Sequence, residues 1–184
     1  MQNSAIKYKI LSPIQNIFKQ VTKNLIILLL ASKSYNAFTQ NSLKALLKKH
    51  NTQSISYISV TNLATKSNVF LLDAREISEY NVSHIKNAIH VGYKTFNLKT
   101  VTAQIPNKNQ LIIVYCSLGI RSEDIAIQLK NVGYKNIFNL YGGIFEWKNK
   151  GFNVYDKNEK ITEKIHAYSN LWSKWLKKGI KVYD

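Results

Sequence analysis

Residues 111–122 read Leu-Ile-Ile-Val-Tyr-Cys-Ser-Leu-Gly-Ile-Arg-Ser and decide the fold of the chain. The first five residues form a short apolar run rich in β-branched side chains, which is typical of a strand covered on both faces. The residues from Ser122 to Asp124 supply a hydroxyl and two carboxylates, which favour the first turn of a helix. The stretch therefore predicts a buried strand, a six-residue loop from Cys116 to Arg121 and the start of a helix.

This loop begins with Cys116, the one cysteine of the sequence. A thiol between the end of a strand and the start of a helix faces backbone N–H groups and a partial positive charge, which favour the thiolate. Such positions lower a thiol pKa from about 8.5 to roughly 3.5–7.5. Gly119 allows backbone turns that a β-carbon forbids, and Arg121 adds a fixed cation. The loop is therefore predicted to hold a nucleophilic sulfur and to bind an anion.

Strand and helix patterns alternate on both sides of this stretch, which indicates a parallel sheet with crossover helices. The predicted strands are Tyr57–Val60, Val69–Asp73, Ala88–Val91, Leu111–Tyr115 and Asn136–Leu140. Helices are predicted between them, the longest from Ser122 to Val132, which ends at Gly133. The fold class is therefore α/β: a doubly wound, mainly parallel sheet of about five strands with helices on both faces, over residues 57–156.

Residues 1–32 carry a different pattern. Four lysines without an accompanying acid precede the apolar run Leu25–Ala31, and Ser32 follows, which is the arrangement of a secretory signal peptide. We therefore predict cleavage after Ser32 and export to the periplasm. The alternative that the pattern leaves open is a buried amphipathic helix in a cytoplasmic protein. The apolar run is shorter than the roughly 20 residues of a membrane span, so no stable span is predicted in the mature chain.

Two further segments flank the predicted domain. Residues 33–56 are predicted to form a short helix from Ser42 to His50 and a polar linker, and residues 157–184 a helical extension. Apolar side chains recur in this extension at helical spacing, at Ile165, Tyr168, Leu171, Trp172, Trp175 and Leu176. We interpret the stripe as packing back onto the domain. The alternative is a helix that docks on a partner or a membrane surface.

The formal charge of +16 is the strongest feature of the composition. A basic chain suggests nucleic-acid binding, but its 26 basic residues include two arginines and are spread along the chain, so no nucleic-acid partner is predicted. One cysteine excludes an intramolecular disulfide and a cysteine-rich zinc site. Because no cluster of ligands stands at a suitable spacing, neither a metal nor a cofactor is predicted.

Short motifs occur in order through residues 57–156. They are Asp73-Ala74-Arg75, Glu79-Tyr80, Ser83 to Ala88, Val114 to Ser122, Gly133-Tyr134, and Asn139 to Ile144 with Trp147. In this order and spacing the sequence resembles a rhodanese domain, the single-domain sulfurtransferase module. One departure is Ser83, which stands where the family usually has a glycine before His-Ile.

The resemblance implies a role for each part of the cysteine loop. Cys116 would be the nucleophile, taking sulfane sulfur from a donor as a persulfide and giving it to a nucleophilic acceptor. The backbone N–H groups of the loop would form the cradle for this sulfur, and Arg121 would offer positive charge to the donor. The loop and anion-binding residues are Ser117, Leu118, Gly119, Ile120, Arg121 and Ser122.

The resemblance also extends to residues outside the loop. Asp73, Arg75 and Glu79 are predicted to form a charge network near the carboxyl end of the sheet that supports the loop. His84 belongs to a structural turn in the family, so we predict a role in the fold for it rather than base catalysis. The pair Gly142-Gly143 is predicted to open the helix after the fifth strand.

The sequence does not identify the sulfur donor or the sulfur acceptor. Ser117 and Leu118 are uncharged, whereas many members that use thiosulfate have basic residues there. The donor is therefore thiosulfate, a polysulfide or a persulfide, and the acceptor is cyanide or a thiol, including a thiol of a protein. The chain is expected to act as a monomer.

Two other functions are alternatives to sulfur transfer. Phosphatases with a cysteine signature need five residues between the cysteine and the arginine, whereas four lie between Cys116 and Arg121. The shorter loop favours a persulfide over a phosphate. The second rival, a non-enzymatic module that binds a partner or senses sulfur, remains the alternative.

Overall fold

The computed structural model describes residues 17–29 and 43–183. The chain divides into two compact units, residues 1–45 and 46–184. In the first unit, residues 17–29 form a helix. The predicted cleavage site after Ser32 lies outside the described residues, so the signal peptide stays a prediction. Among the described residues, no helix combines the length and the apolar character needed to cross a lipid bilayer.

The second unit is built on a five-stranded sheet whose paired strands all run parallel. Its strands are β1 (Tyr57–Ile58), β2 (Phe70–Asp73), β3 (Ile89–His90), β4 (Ile112–Tyr115) and β5 (Ile137–Leu140). Their order in the sheet is β1-β5-β4-β2-β3, so the strand before the cysteine lies at the centre. All five predicted strands are present, and the predicted α/β class is confirmed.

Helices flank this sheet. They are Val60–Ala64, Ile77–Val82, Leu98–Gln104, Arg121–Asn131 and Gly143–Asn149. Residues 43–50 form a further helix. The helix Arg121–Asn131 has two acidic residues in its first turn and Lys130 in its last, which complements the helix dipole. It begins one residue before the predicted start. The N-terminal part of this helix thus lies directly beside the cysteine loop.

The central strand β4 is buried on both faces, as its continuous apolar run predicts. Ile112 and Val114 pack in a core with Leu129 of the following helix. The alternate residues Ile113 and Tyr115 point to the opposite face and are also fully buried. Burial on both sides fixes the position of the last strand residue, from which the cysteine loop starts.

The segment after residue 153 differs from the prediction. It forms the short strands β6 (Val154–Tyr155), β7 (Ile161–Thr162), β8 (Lys164–His166) and β9 (Ile180–Val182), with a helix only at Asn170–Ser173. Strands β6 and β7 are antiparallel, whereas β8 and β9 are parallel. The predicted helical extension over residues 157–184 is therefore wrong.

The physical reason lies in two features of this segment. Strand β8 satisfies its backbone by pairing with β9, and Tyr168 adopts a left-handed backbone conformation with φ of 66°, which stops a helix from passing through it. The expectation that the apolar stripe packs back on the domain is confirmed for Ile165 and Leu176, which are buried, but not for Leu171, which is exposed. Lys148 and Asn149 of the domain bind Glu163 and the carbonyl of Trp175.

Candidate active site

The thiol of Cys116 lies one residue beyond the end of β4, at the carboxyl edge of the parallel sheet. The residue is 2% exposed. Its Sγ accepts a hydrogen bond from the backbone N–H of Gly119 at 3.1 Å and faces the Ser122 hydroxyl at 3.5 Å. Burial raises the pKa of the thiol, but the charge of Arg121 and the hydrogen bonds from Ser122 and Gly119 outweigh it, so the pKa lies below its ordinary value.

The turn at Gly119 is fixed by two amide side chains. The Gly119 carbonyl accepts hydrogen bonds from Nδ2 of Asn51 at 2.7 Å and from Nδ2 of Asn139 at 2.8 Å. Oδ1 of Asn139 in turn accepts a bond from the Ser122 hydroxyl at 2.7 Å. Gly119 has φ of 109°, a conformation that side chains with a β-carbon rarely adopt. These hydrogen bonds keep the N–H of Gly119 pointing at Sγ of Cys116.

Arg121 binds Glu79 across the loop. Its Nη1 lies 2.6 Å from Oε2 of Glu79, and its Nη2 lies 2.8 Å from Oε1. Ser117 completes the contact, since its hydroxyl accepts from Nη2 and donates to Oε1 of Glu79. Burial raises the pKa of Glu79, but the hydrogen bonds and charge of Arg121 lower it to about 2. The two charges therefore neutralise one another beside the thiol.

The loop backbone packs directly on the helix Gly143–Asn149. The N–H groups of Ile144 and Phe145 donate to the carbonyls of Cys116 and Ser117 at 3.0 and 3.2 Å. A β-carbon on Gly143 would lie 2.2 Å from the Cys116 carbonyl oxygen, and Gly143 has φ of 54°. Both the contact and the backbone conformation thus require glycine at this position. Gly142, the residue before the helix, has φ of 74°.

Asp73 and Arg75 form a second ion pair at the carboxyl end of β2. Nη2 of Arg75 lies 2.6 Å from Oδ2 of Asp73, and both side chains are completely buried. The guanidinium also donates to the carbonyls of Ser83 and Glu79. The predicted charge network is therefore present, but it consists of two pairs that meet at Glu79. The Asp73–Arg75 pair holds the turn near Ser83, and the Glu79–Arg121 pair contacts the cysteine loop.

His84 is buried away from the thiol. Its ring stacks on Tyr80 with centroids 4.0 Å apart, and its two nitrogens contact the Tyr80 carbonyl and Oε1 of Glu159. The backbone of His84 exchanges hydrogen bonds with Tyr155. These contacts join the turn to the segment after the domain, and His84 does not line the cavity over the cysteine.

A cavity of about 130 Å³ opens over the loop. Four of its walls are apolar or aromatic side chains, those of Leu118, Ile120, Tyr168 and Trp172. Arg121 also lines it, and the Tyr168 ring lies over the guanidinium with 4.8 Å between the Cζ atom and the ring centroid. The C-terminal segment therefore contributes two aromatic walls to the site.

Sequence reasoning missed several residues that shape this site. Asn139, Asn51, Tyr168 and Trp172 contact the loop or line its cavity. Asn139 carried a signal, because a polar residue inside an otherwise apolar strand must find a hydrogen-bond partner when buried. Asn51 lies in the segment that was predicted to be a linker, which gave no such signal.

No metal-binding cluster of three or more His, Cys, Asp or Glu residues occurs within residues 17–29 and 43–183. The charged residues near the thiol are instead paired with one another, as Glu79 is with Arg121.

Comparisons of the sequence with known proteins identify its family. Residues 39–150, more than half of the chain, match the family model of the rhodanese-like domain. Thiosulfate sulfurtransferase GlpE from Coxiella burnetii is 31% identical over 94 residues, which cover 51% of this chain and 85% of that protein. The tRNA uridine(34) hydroxylase of Ehrlichia canis is 32% identical over 124 residues, which cover 63% of this chain but 40% of the hydroxylase.

Solved structures share the fold. A thiosulfate sulfurtransferase from Pseudomonas aeruginosa superposes with a TM-score of 0.52 at 20% identity, over 75% of this chain and 26% of that chain. A protein from Bacillus halodurans gives a TM-score of 0.50 at 20% identity, over 63% and 85% of the two chains. With the family match over residues 39–150, these findings show that the chain belongs to the rhodanese-like domain family.

Proposed function

We propose that this chain is a sulfurtransferase that carries sulfane sulfur on Cys116. The observation that carries the proposal is the position of Sγ, which faces the N–H of Gly119 and the hydroxyl of Ser122 beside the charge of Arg121. These groups stabilise a thiolate, which is the form of cysteine that attacks sulfur. The similarity to a thiosulfate sulfurtransferase over most of that protein's length supports the same chemistry.

The reaction consists of two displacements at sulfur. In the first, the Cys116 thiolate attacks the outer sulfur of the donor, the sulfur–sulfur bond of the donor breaks, and the rest of the donor leaves with the electron pair. In the second, an acceptor such as cyanide attacks the outer sulfur of the persulfide and releases the thiolate, forming thiocyanate. The charge that develops on sulfur faces the Gly119 N–H, which already donates to Sγ, and lies beside the positive charge of Arg121.

The decisive experiment is a mass spectrum of the chain after exposure to a sulfane-sulfur donor. We expect the peptide that contains Cys116 to gain the mass of one sulfur, about 32 Da. Adding cyanide should remove this mass and produce thiocyanate in equal amount. Thiosulfate, an inorganic polysulfide and a low-molecular-weight persulfide should each be tested, because the neutral Ser117-Leu118 pair does not select among them.

The matched control is Cys116→Ser, which keeps the size of the side chain and removes the thiol. This variant should bind no sulfur and transfer none while keeping the thermal unfolding midpoint of the unmodified chain. If the unmodified chain gains no sulfur from any donor, the alternative of a non-enzymatic binding or sensing module would replace this proposal. Transfer activity in the serine variant would contradict the role of Cys116.

We also propose that the chain is exported. The support is the lysine-rich start and the apolar run Leu25–Ala31, followed by Ser32. N-terminal sequencing of the protein recovered from the periplasm should begin at Lys33. Recovery from the cytoplasm with Met1 in place would contradict export and favour the cytoplasmic alternative.

A further inference from the structure

The cavity over Cys116 has an apolar character that the sulfur chemistry alone does not require. Leu118 and Ile120 of the loop form one part of its lining, and Tyr168 and Trp172 of the C-terminal segment form another. Its volume of about 130 Å³ admits a group of several non-hydrogen atoms beside the reacting sulfur. The cavity is thus sized for a small organic group rather than for a folded partner.

The charge of this cavity is also low. Among the described residues that line it, Arg121 is the one cation, and both of its terminal nitrogens bind the Glu79 carboxylate. The Tyr168 ring lies over the same guanidinium. A dianion that enters would lose hydration without gaining an unpaired cation, which is unfavourable. A donor with one charge and an apolar substituent loses less hydration and gains contact with the aromatic walls.

The two aromatic walls are held in place by the rest of the segment. Ala167, which precedes Tyr168, is buried and donates its backbone N–H to the Val182 carbonyl at 2.8 Å. Trp172 makes an edge contact with the His50 ring, with centroids 6.0 Å apart. Tyr168 has φ of 66°, an uncommon conformation for a bulky residue that persists where the surroundings enforce it. The segment therefore presents these rings to the loop in a defined geometry.

We propose that Tyr168 and Trp172 determine the specificity of sulfur transfer by binding an apolar organic group of the donor. The preferred donor is a compound whose sulfane sulfur is attached to such a group, in preference to the thiosulfate dianion. The inference rests on the proposed function, because it concerns the donor of that reaction. On this proposal the C-terminal segment forms part of the donor-binding site.

Thiosulfonates provide matched probes for this specificity. Thiosulfate, methanethiosulfonate and benzenethiosulfonate carry the same outer sulfur on an oxidised sulfur, but differ in charge and in the attached group. In each case the Cys116 thiolate attacks the outer sulfur and the donor's sulfur–sulfur bond breaks. Sulfite leaves from thiosulfate and a sulfinate leaves from either thiosulfonate, each with the electron pair. No oxidant or reductant is consumed.

The experiment measures kcat/KM for the three donors with cyanide as the acceptor. For the unmodified full chain we expect the ratio of benzenethiosulfonate to methanethiosulfonate to be about tenfold or more, because the phenyl group fills the aromatic walls. In Trp172→Ala this ratio should fall to near one, because the phenyl group of benzenethiosulfonate then loses the ring that it contacts. Leu171→Ala is the matched control, since Leu171 lies in the same short helix, is exposed and does not line the cavity.

A second variant tests the same prediction in case Trp172→Ala does not fold. Tyr168→Gly removes the other ring and relieves the left-handed backbone conformation, so it should fold, and it should lower the same ratio. If the folded variants still transfer sulfur with the ratio of the unmodified chain, Tyr168 and Trp172 do not determine donor specificity. The proposed function would stand in that case. Absence of a Cys116 persulfide with all three donors would overturn both.

Discussion

The two arginines of the sequence form two ion pairs of the same chemical kind with different neighbours. Arg75 binds Asp73 with both side chains fully buried, beside Tyr115 and the carbonyl of Ser83. Arg121 binds Glu79 with 14% of the arginine side chain exposed, next to the thiol of Cys116. The first pair contacts Tyr115 and the turn at Ser83, whereas the second lies beside the thiol of Cys116. The same kind of ion pair thus holds a turn in one place, while in the other its arginine lowers the pKa of a neighbouring thiol.

Removing the buried pair should give the largest effect on stability. Arg75→Met keeps much of the side-chain volume but leaves Asp73 buried without its cation, and we expect a loss of about 3–5 kcal/mol in the free energy of unfolding. Urea denaturation of the variant and the unmodified chain measures this loss. A loss below about 1 kcal/mol, which is the size of a surface ion pair, would contradict the assigned burial.

The Glu79 pair should appear in the pH dependence of stability. The pKa of Glu79 is lowered from 4.5 in an ordinary environment to about 2 in the folded chain. Its contribution, about 3 kcal/mol, is therefore complete above the unfolded pKa and lost as the pH falls through the folded pKa. Unfolding free energies between about pH 6 and about pH 1, a range that spans both pKa values, measure it.

The control for this pH dependence is Glu79→Gln, which cannot ionise. The variant should be less stable than the unmodified chain at neutral pH, and its stability should change less over the acidic range. An equal acid dependence in both proteins would show that another carboxylate is responsible.

The smallest effect is expected for the reactivity of Cys116 when its neighbouring cation is removed. Arg121→Met should raise the pKa of the thiol, since the charge of Arg121 lowers it. At neutral pH the rate of alkylation by iodoacetamide should then fall by about three- to tenfold. The alkylation rate as a function of pH measures the shift. The folded Arg75→Met variant should keep nearly the same dependence of the alkylation rate on pH. If both variants raise the thiol pKa equally, the effect of Arg121 on Cys116 is not specific to its position.

Much of the fold could be predicted because its strands are short apolar runs bounded by polar residues. The runs that became β2, β4 and β5 carry this pattern in the sequence. The C-terminal segment could not be predicted in the same way. Ile165 stands at helical spacing from Tyr168, yet it lies in a strand, because the pairing with β9 involves residues more than ten positions away. Local periodicity does not contain that information.

The site was predictable to a similar extent. Cys116 and Arg121 could be placed by their position between a strand and a helix. The partner of Arg121 was less apparent, because Glu79 is 42 positions away and two other carboxylates, Asp73 and Glu76, precede it closely in the sequence. Trp172 could not be placed at all, since an aromatic residue in an apolar stripe is compatible with simple packing. Contacts between distant segments thus account for what the sequence left open.

The short helix Gly143–Asn149 has a consequence for how the molecule opens. Its first residues bind the carbonyls of the cysteine loop, and near its end Lys148 and Asn149 bind the C-terminal segment. Loop and segment therefore share one support, and they should exchange their amide protons as a single cooperative unit. Hydrogen exchange should show the amides of Ile144 and Phe145 losing protection together with that of Ala167. A substitution that detaches the C-terminal segment would then also make the loop from Cys116 to Arg121 less rigid.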